Sequence, residues 1–342
     1  MRSLVTGGAG FIGSHLVEHL LAHGDSVIVL DDLSTGNIAN LSAVRDDPRF
    51  ELVIGTILDP AVVLDCVSRS DRVFHLAAAV GVKLIVEEPL TSLRANIHGT
   101  ENVLAACADT GATLLLASTS EIYGKNESDS LSEESDRILG SPLKSRWGYA
   151  AAKGIDEAFA HAYWTQFGLP VSIVRLFNTI GPRQKGRYGM VVPNLVGQAL
   201  RGEPLTVFGN GRQTRCFSSV NDIVPAIVRI AESTTAYGKA YNLGGAQEIS
   251  ILELAELIIR TTGSLSEVEL VPYENAYGNG YEDMRRRVPD NTLANELVGF
   301  VPRTRIDAMV RQVAQSLSTA VDGDDWIMSQ ARPAHVAAGA VS

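Results

Sequence analysis

Tyr149 and Lys153, in the run Tyr149-Ala-Ala-Ala-Lys153, are spaced to share one helix face. A phenol with an ordinary pKa near 10 is a poor base at neutral pH, and a neighbouring ammonium favours its ionised form. The pair therefore suits proton transfer to and from a substrate hydroxyl, and a plain surface pair is the alternative. Upstream, Ser118-Thr119-Ser120-Glu121-Ile122-Tyr123-Gly124 ends a strand-like run. Strand ends are where hydroxyls reach a bound molecule, so Thr119 and Ser120 are candidates to hold the group that Tyr149 deprotonates. A Ser/Thr capping turn would use the same residues. Glu121 either touches the substrate or caps a loop.

A second constellation opens the chain. Leu4–Gly13 reads L-V-T-G-G-A-G-F-I-G, placing Gly7, Gly10 and Gly13 in a turn between a strand and a helix that begins near Phe11. Glycines let backbone approach a pyrophosphate closely, and the helix start, with Phe11 and Ile12, offers free N–H donors. Asp31 ends the next strand-like run, where an acidic side chain can hold an adenosine ribose diol. Its charge would repel the extra phosphate of NADP, so NAD is the expected cofactor. Asp32, Ser34, Thr35 and Gly36 offer further contacts around the adenosine half.

The elements that must position these groups alternate. Ser3–Thr6, Ser26–Leu30, Phe50–Ile54, Arg72–Leu76, Thr113–Ser118 and Val171–Leu176 read as strands, with helical spacing over His15–His23, Ala61–Ser68, Thr91–Thr110 and Ala150–Gln166. That pattern predicts an α/β fold, a Rossmann-type doubly wound parallel sheet with its ligand at the strand carboxyl ends. After Gly181 the texture turns to Gly-, Pro- and Arg-rich loops, and Val220–Glu232 returns as a helix. The expected division gives residues 1–180 and 217–240 to the main domain. Residues 181–216 and 241–320 form a smaller interleaved substrate lobe, and 322–342 a poorly ordered tail.

Together these motifs resemble the extended short-chain dehydrogenases/reductases of the NAD-dependent epimerase/dehydratase type over roughly residues 1–310. His75-Leu76-Ala77-Ala78 resembles that family's fourth-strand motif, and Asn96 falls where it keeps a helix asparagine. Thr56 and Ile57 stand where it usually has Asp and a large apolar residue, which weakens the expected adenine contact. The resemblance implies that Phe177 lies beside the cofactor and that Asn178 contacts a nucleotide diphosphate. It also implies that Val192, Val207 and Phe208 wall the base, with core packing the competing account of the last two. Arg215, Arg287 and Asp290 match its basic diphosphate pocket, with Arg287 favoured over Arg285 and Arg286. A solvated charge run is the alternative for that triplet. The implied substrate is a UDP-sugar.

The expected first step makes a 4-keto sugar: Tyr149 takes the C4 hydroxyl proton while a hydride leaves C4. Three fates follow. A 4,6-dehydratase needs an acid where this chain has Ser120, which places dehydration last. Decarboxylation of UDP-glucuronate fits Thr119-Ser120-Glu121, but the companion loop Tyr188–Asn194 reads differently from that subfamily. Epimerisation at C4 needs no extra acid and is placed first, closest to UDP-glucuronate/UDP-glucose 4-epimerases. UDP-glucuronate is the favoured substrate, its carboxylate held by Arg183, Lys185 or Arg187, with Arg183 preferred. A non-catalytic NAD-binding scaffold is the reading from another class.

Composition narrows the setting. Of 342 residues, 29 are Lys or Arg and 39 Asp or Glu, a net charge of -10 that argues against a nucleic-acid partner. Cys66, Cys107 and Cys216 lack metal-ligand spacing and read as reduced core residues, so the expected setting is cytoplasmic with no metal. No apolar run reaches the roughly 18 to 20 residues a membrane span needs, and the first residues lead into a strand rather than a signal peptide. The family resemblance implies a homodimer, since Thr91–Thr110 and Ala150–Gln166 resemble the two helices that commonly pair in it.

Overall fold

The structure is a computed structural model describing residues 1–79, 88–186, 190–273 and 284–321. Arg187, Tyr188, Gly189 and the expected tail 322–342 lie outside the described residues. Strands β1 (Arg2–Thr6), β2 (Ser26–Asp31), β3 (Phe50–Ile54), β4 (Arg72–His75), β5 (Thr113–Thr119) and β6 (Val171–Leu176) pair with β10 (Ala240–Leu243) in one sheet. Its order is β10-β6-β5-β4-β1-β2-β3, and every pairing is parallel.

Successive side chains on a strand face opposite ways, so a sheet covered on both sides buries both sets. Leu4, Ile28, Val73 and Leu114 pack under α2 (Pro60–Ser68), α3 (Pro89–Thr110) and α4 (Gly148–Phe167). Their neighbours Val5, Val29, Phe74 and Leu115 pack on the other side under α1 (Phe11–Ala22) and α6 (Val220–Glu232). Helix ends follow local chemistry. The Asp59 carboxylate accepts the N–H groups of Ala61 and Val62 ahead of Pro60, and Gly111 and Gly168 close α3 and α4 in left-handed conformation, at φ 78° and 69°.

The smaller lobe has its own core, where α5 (Val191–Arg201), α7 (Ile251–Thr262) and α9 (Ile306–Val321) cover β8 (Leu205–Phe208) and β9 (Thr214–Ser219). β8 pairs with β12 (Val268–Val271), and β9 lies between β7 (Asn178–Ile180) and β11 (Glu248–Ser250). The return to the main sheet runs past the expected boundary at 240. Tyr241 and Leu243 of β10, with Ala294 and Leu297 of α8 (Thr292–Val298), join the same core as α1 and α6. Among the described residues no helix is long and apolar enough to cross a membrane.

Candidate active site

A cleft of about 990 Å³ opens over the carboxyl ends of the central strands, between sheet and smaller lobe. One half of its wall is the glycine turn. A Cβ on Gly7 would come within 2.8 Å of Ala77 backbone, and one on Gly13 within 2.2 Å of the Gly7 carbonyl. Gly7 also has φ 72°, so glycine is required by conformation as well as by space. Gly10, Phe11 and Ile12 complete this wall at the start of α1, where free N–H groups and the helix dipole favour an anion.

Asp31, at the end of β2, accepts N–H groups from Ala9 at 2.9 Å and Leu33 at 2.8 Å, and its pKa is raised by burial against those bonds. Asp32, Ser34, Thr35, Thr56, Ile57, Leu76, Ala77 and Ala78 extend the same wall. This cradle of bare backbone with a carboxylate beyond it fits a dinucleotide. Three expected contacts, Asn96, Gly36 and Lys153, lie off the wall. Asn96 spends its side chain on the Ala79 N–H (3.0 Å) and carbonyl (3.2 Å), fixing the chain after β4. At Gly36 a Cβ would stand 2.9 Å from the Asp31 Oδ1, so its service is to let the loop pass that carboxylate.

The other half of the cleft gathers Thr119, Ser120, Glu121, Tyr149, Phe177 and Asn178. Tyr149 is 7% exposed and lines the cleft with Thr119. Its phenol is pushed up by burial, then by the Glu121 and Asp156 carboxylates, while the Thr119 hydroxyl pulls it down. The expected lowering by Lys153 is therefore not seen, because that ammonium is engaged elsewhere. Lys153 Nζ lies 2.8 Å from Asp156, away from the cleft wall, and both side chains are buried. His75 is clamped between the hydroxyls of Thr6 (2.7 Å) and Thr100 (3.0 Å). Burial, then Lys153, holds it at about 3, so it stays neutral and structural.

Glu121 sits among arginines. Arg146, from the short turn Ser145–Trp147 ahead of α4, reaches it at 2.5 and 3.2 Å, and Arg287 at 3.5 Å. Burial opposes ionisation, yet Arg146 and Arg287 outweigh it and hold the carboxyl at about 2. Arg287 also reaches Ser120 Oγ (3.3 Å) and Asn178 Oδ1 (3.2 Å), tying the strand ends together. Its neighbour Arg286 turns outward to Glu248, so the arginine triplet divides between cleft and surface. Arg215 and Phe208 line the cleft beside Val192.

Three expectations need correction. Val207 is fully buried in the smaller lobe's core, since β8 alternates Leu205 and Val207 inward while Phe208 faces the cleft. Asp290 accepts the Thr292 N–H at 2.9 Å, leading into α8, and is not on the cleft wall. Arg183 lines the cleft, but its guanidinium is held by Glu18 (2.5 Å) and Ser14 (3.2 Å) of α1, which places its charge beside the glycine-turn helix rather than by Tyr149. Arg146 escaped the sequence reading, although a basic residue three positions before Tyr149 was a usable signal. So did the group behind Thr119: Ser118 and Arg175 both bind Glu157, and Arg175 also meets Tyr123 at 3.0 Å.

Residues 4–313 match the protein family described as GDP-mannose 4,6 dehydratase. The chain belongs to that family. It is an extended short-chain dehydrogenase/reductase, and its cofactor is NAD. It is 39% identical over 315 residues to a UDP-N-acetyl-alpha-D-glucosaminuronate decarboxylase from Bacillus cytotoxicus, covering 92% of this chain and 97% of that one. It is 38% identical to UDP-glucuronic acid decarboxylase 1 of Xenopus tropicalis, over 88% of this chain and 68% of the relative. Among solved structures of family members, a UDP-glucuronic acid 4-epimerase from Bacillus cereus, in complex with UDP-glucuronic acid and NAD, superposes with a TM-score of 0.85. The two are 27% identical, over 94% of this chain and all of the other.

Proposed function

We propose that this enzyme is an NAD-dependent decarboxylase of a UDP-linked uronate, with UDP-glucuronate the first substrate to test. The observation that carries the choice is the 39% identity to a uronate decarboxylase along nearly the whole of both chains, against 27% to the uronate 4-epimerase. This reverses the order given by the sequence alone, which placed epimerisation ahead. Dehydration is disfavoured by the site itself, because Ser120 is no acid and Glu121, held at about 2 by Arg146 and Arg287 against burial, keeps no proton to give.

The bound dinucleotide supplies reversible two-electron oxidation at the sugar C4. Gly7, Gly10 and Gly13 would admit its pyrophosphate, and Asp31 its adenosine ribose. Tyr149 removes the C4 hydroxyl proton, with the Thr119 and Ser120 hydroxyls orienting the sugar. Once C4 is a ketone, the C5 carboxylate is a β-keto acid. Its C–C bond breaks, carbon dioxide leaves, and the electron pair moves onto the C4 oxygen. The Tyr149 phenol, having just gained a proton, is placed to stabilise that enolate by donating a hydrogen bond. C5 then takes up a proton and C4 is reduced again, so the net change is uronate plus one proton to pentose plus carbon dioxide. Arg287, Arg215 and Asn178 are assigned to the anionic groups of the substrate, where guanidinium forks suit oxyanions.

A cytoplasmic homodimer belongs to the same reading, supported by the buried thiols Cys66, Cys107 and Cys216 and by the exposed Leu90 on α3 and Ile155 on α4. Incubation with UDP-glucuronate and, separately, UDP-N-acetylglucosaminuronate tests the assignment. Loss of the mass of carbon dioxide from either supports it, whereas an isomer of unchanged mass restores the epimerase.

A further inference from the structure

The Lys153–Asp156 pair has a feature the proposed chemistry does not use. Asp156 lies one turn after Lys153 on α4 and is wholly buried, while Lys153 is 2% exposed, with 2.8 Å between Nζ and Oδ2. An ion pair at this depth is costly to form, and breaking it strands a charge, so the partner of each group matters. The other groups facing the pair do not replace Lys153. His75 on β4 is neutral and bonds the Thr100 hydroxyl of α3. Glu157 on α4 repels Asp156 and is itself committed to Arg175 of β6. On the cleft side stand the Tyr149 phenol and Glu121, the latter held by Arg146. Lys153 is thus the cation paired with the buried Asp156 carboxylate, and it sits one turn from the phenol at the cleft.

We propose that Asp156 is a positioning residue that competes with the dinucleotide ribose for the Lys153 ammonium. Binding NAD draws the ammonium toward the cleft, and Asp156, left without its cation, takes up one proton from solvent. The burial that already raises the Asp156 pKa makes protonation the cheaper outcome once the ammonium leaves. The coupling delays full charge support for Tyr149 until the cofactor is in place, since the Asp156 carboxylate also holds the phenol up. It rests on the reading, implied by the family resemblance of the Tyr149–Lys153 pair, that the Lys153 ammonium binds the nicotinamide ribose hydroxyls, and on no particular fate of the sugar.

Calorimetric titration of the purified enzyme with NAD, without sugar, in two buffers of different ionisation heat near pH 7.5 counts the protons. About one proton taken up per NAD bound is expected. Asp156→Asn should abolish the uptake and tighten NAD severalfold, because the competitor for Lys153 is gone. Should that variant fail to fold, Lys153→Met decides the point separately: Asp156 would be neutral from the start, and the uptake would vanish along with some affinity. NAD binding to the wild type without proton uptake overturns the proposal, as does uptake that persists in either variant. Since no turnover is read, a failed decarboxylation assay and a failed proton count remain separate results.

Discussion

Replacing Glu121 with glutamine isolates the charge that holds the cleft's arginines. The carboxyl lies at about 2 instead of its ordinary 4.5, burial being outweighed by Arg146 and Arg287, and its side chain is 18% exposed. A depression of that size corresponds to about 3 kcal/mol of stability, order of magnitude only. Because the folded value is the lower one, the contribution is complete above about 4.5 and is lost as pH falls toward 2. Glu121→Gln should therefore cost about 3 kcal/mol at pH 7, a fall in Tm of about 5 °C for a chain of this size. The gap from wild type should narrow steadily below pH 4.5. Differential scanning fluorimetry from pH 7 to pH 3 checks both parts. A variant matching wild type at pH 7, or a gap that widens in acid, would refute the assignment of that charge cluster.

Tyr149→Phe should lower kcat about a thousandfold with NAD affinity nearly unchanged, measured by turnover and by quenching of protein fluorescence. Gly13→Ala forces a Cβ to 2.2 Å from the Gly7 carbonyl and should weaken NAD at least tenfold, read by the same titration. Asp31→Ser removes the acceptor for Ala9 and Leu33 and the repulsion toward an added phosphate. The ratio of NAD to NADP affinity should fall by tenfold or more, measured by competition binding.

The first half of the fold was legible because its strands and helices carry unmixed signals. Phe50–Ile54 and Val171–Leu176 form strands over the residues read from the sequence, and the glycine turn opens α1 at Phe11 as expected. The smaller lobe was harder. Whether Val207 or Phe208 faces the ligand depends on the register of a four-residue strand, which composition does not set. Asp290 resembled a ligand by spacing, yet its oxygen was claimed locally by the Thr292 N–H. The charges were least legible of all. Tyr149 and Lys153 share a helix face, but where an ammonium points depends on its partners, and a buried aspartate three residues on outbids the phenol. Arg146 and Glu121 meet only because the turn before α4 folds back over the end of β5.

The account's central claim is the loss of the sugar's C6 carbon after oxidation at C4. UDP-glucuronate labelled with carbon-13 at C6 should release one equivalent of labelled carbon dioxide per UDP-pentose formed, and Tyr149→Phe should release almost none. Labelled carbon retained in a UDP-hexuronate product while the wild type turns over would contradict it.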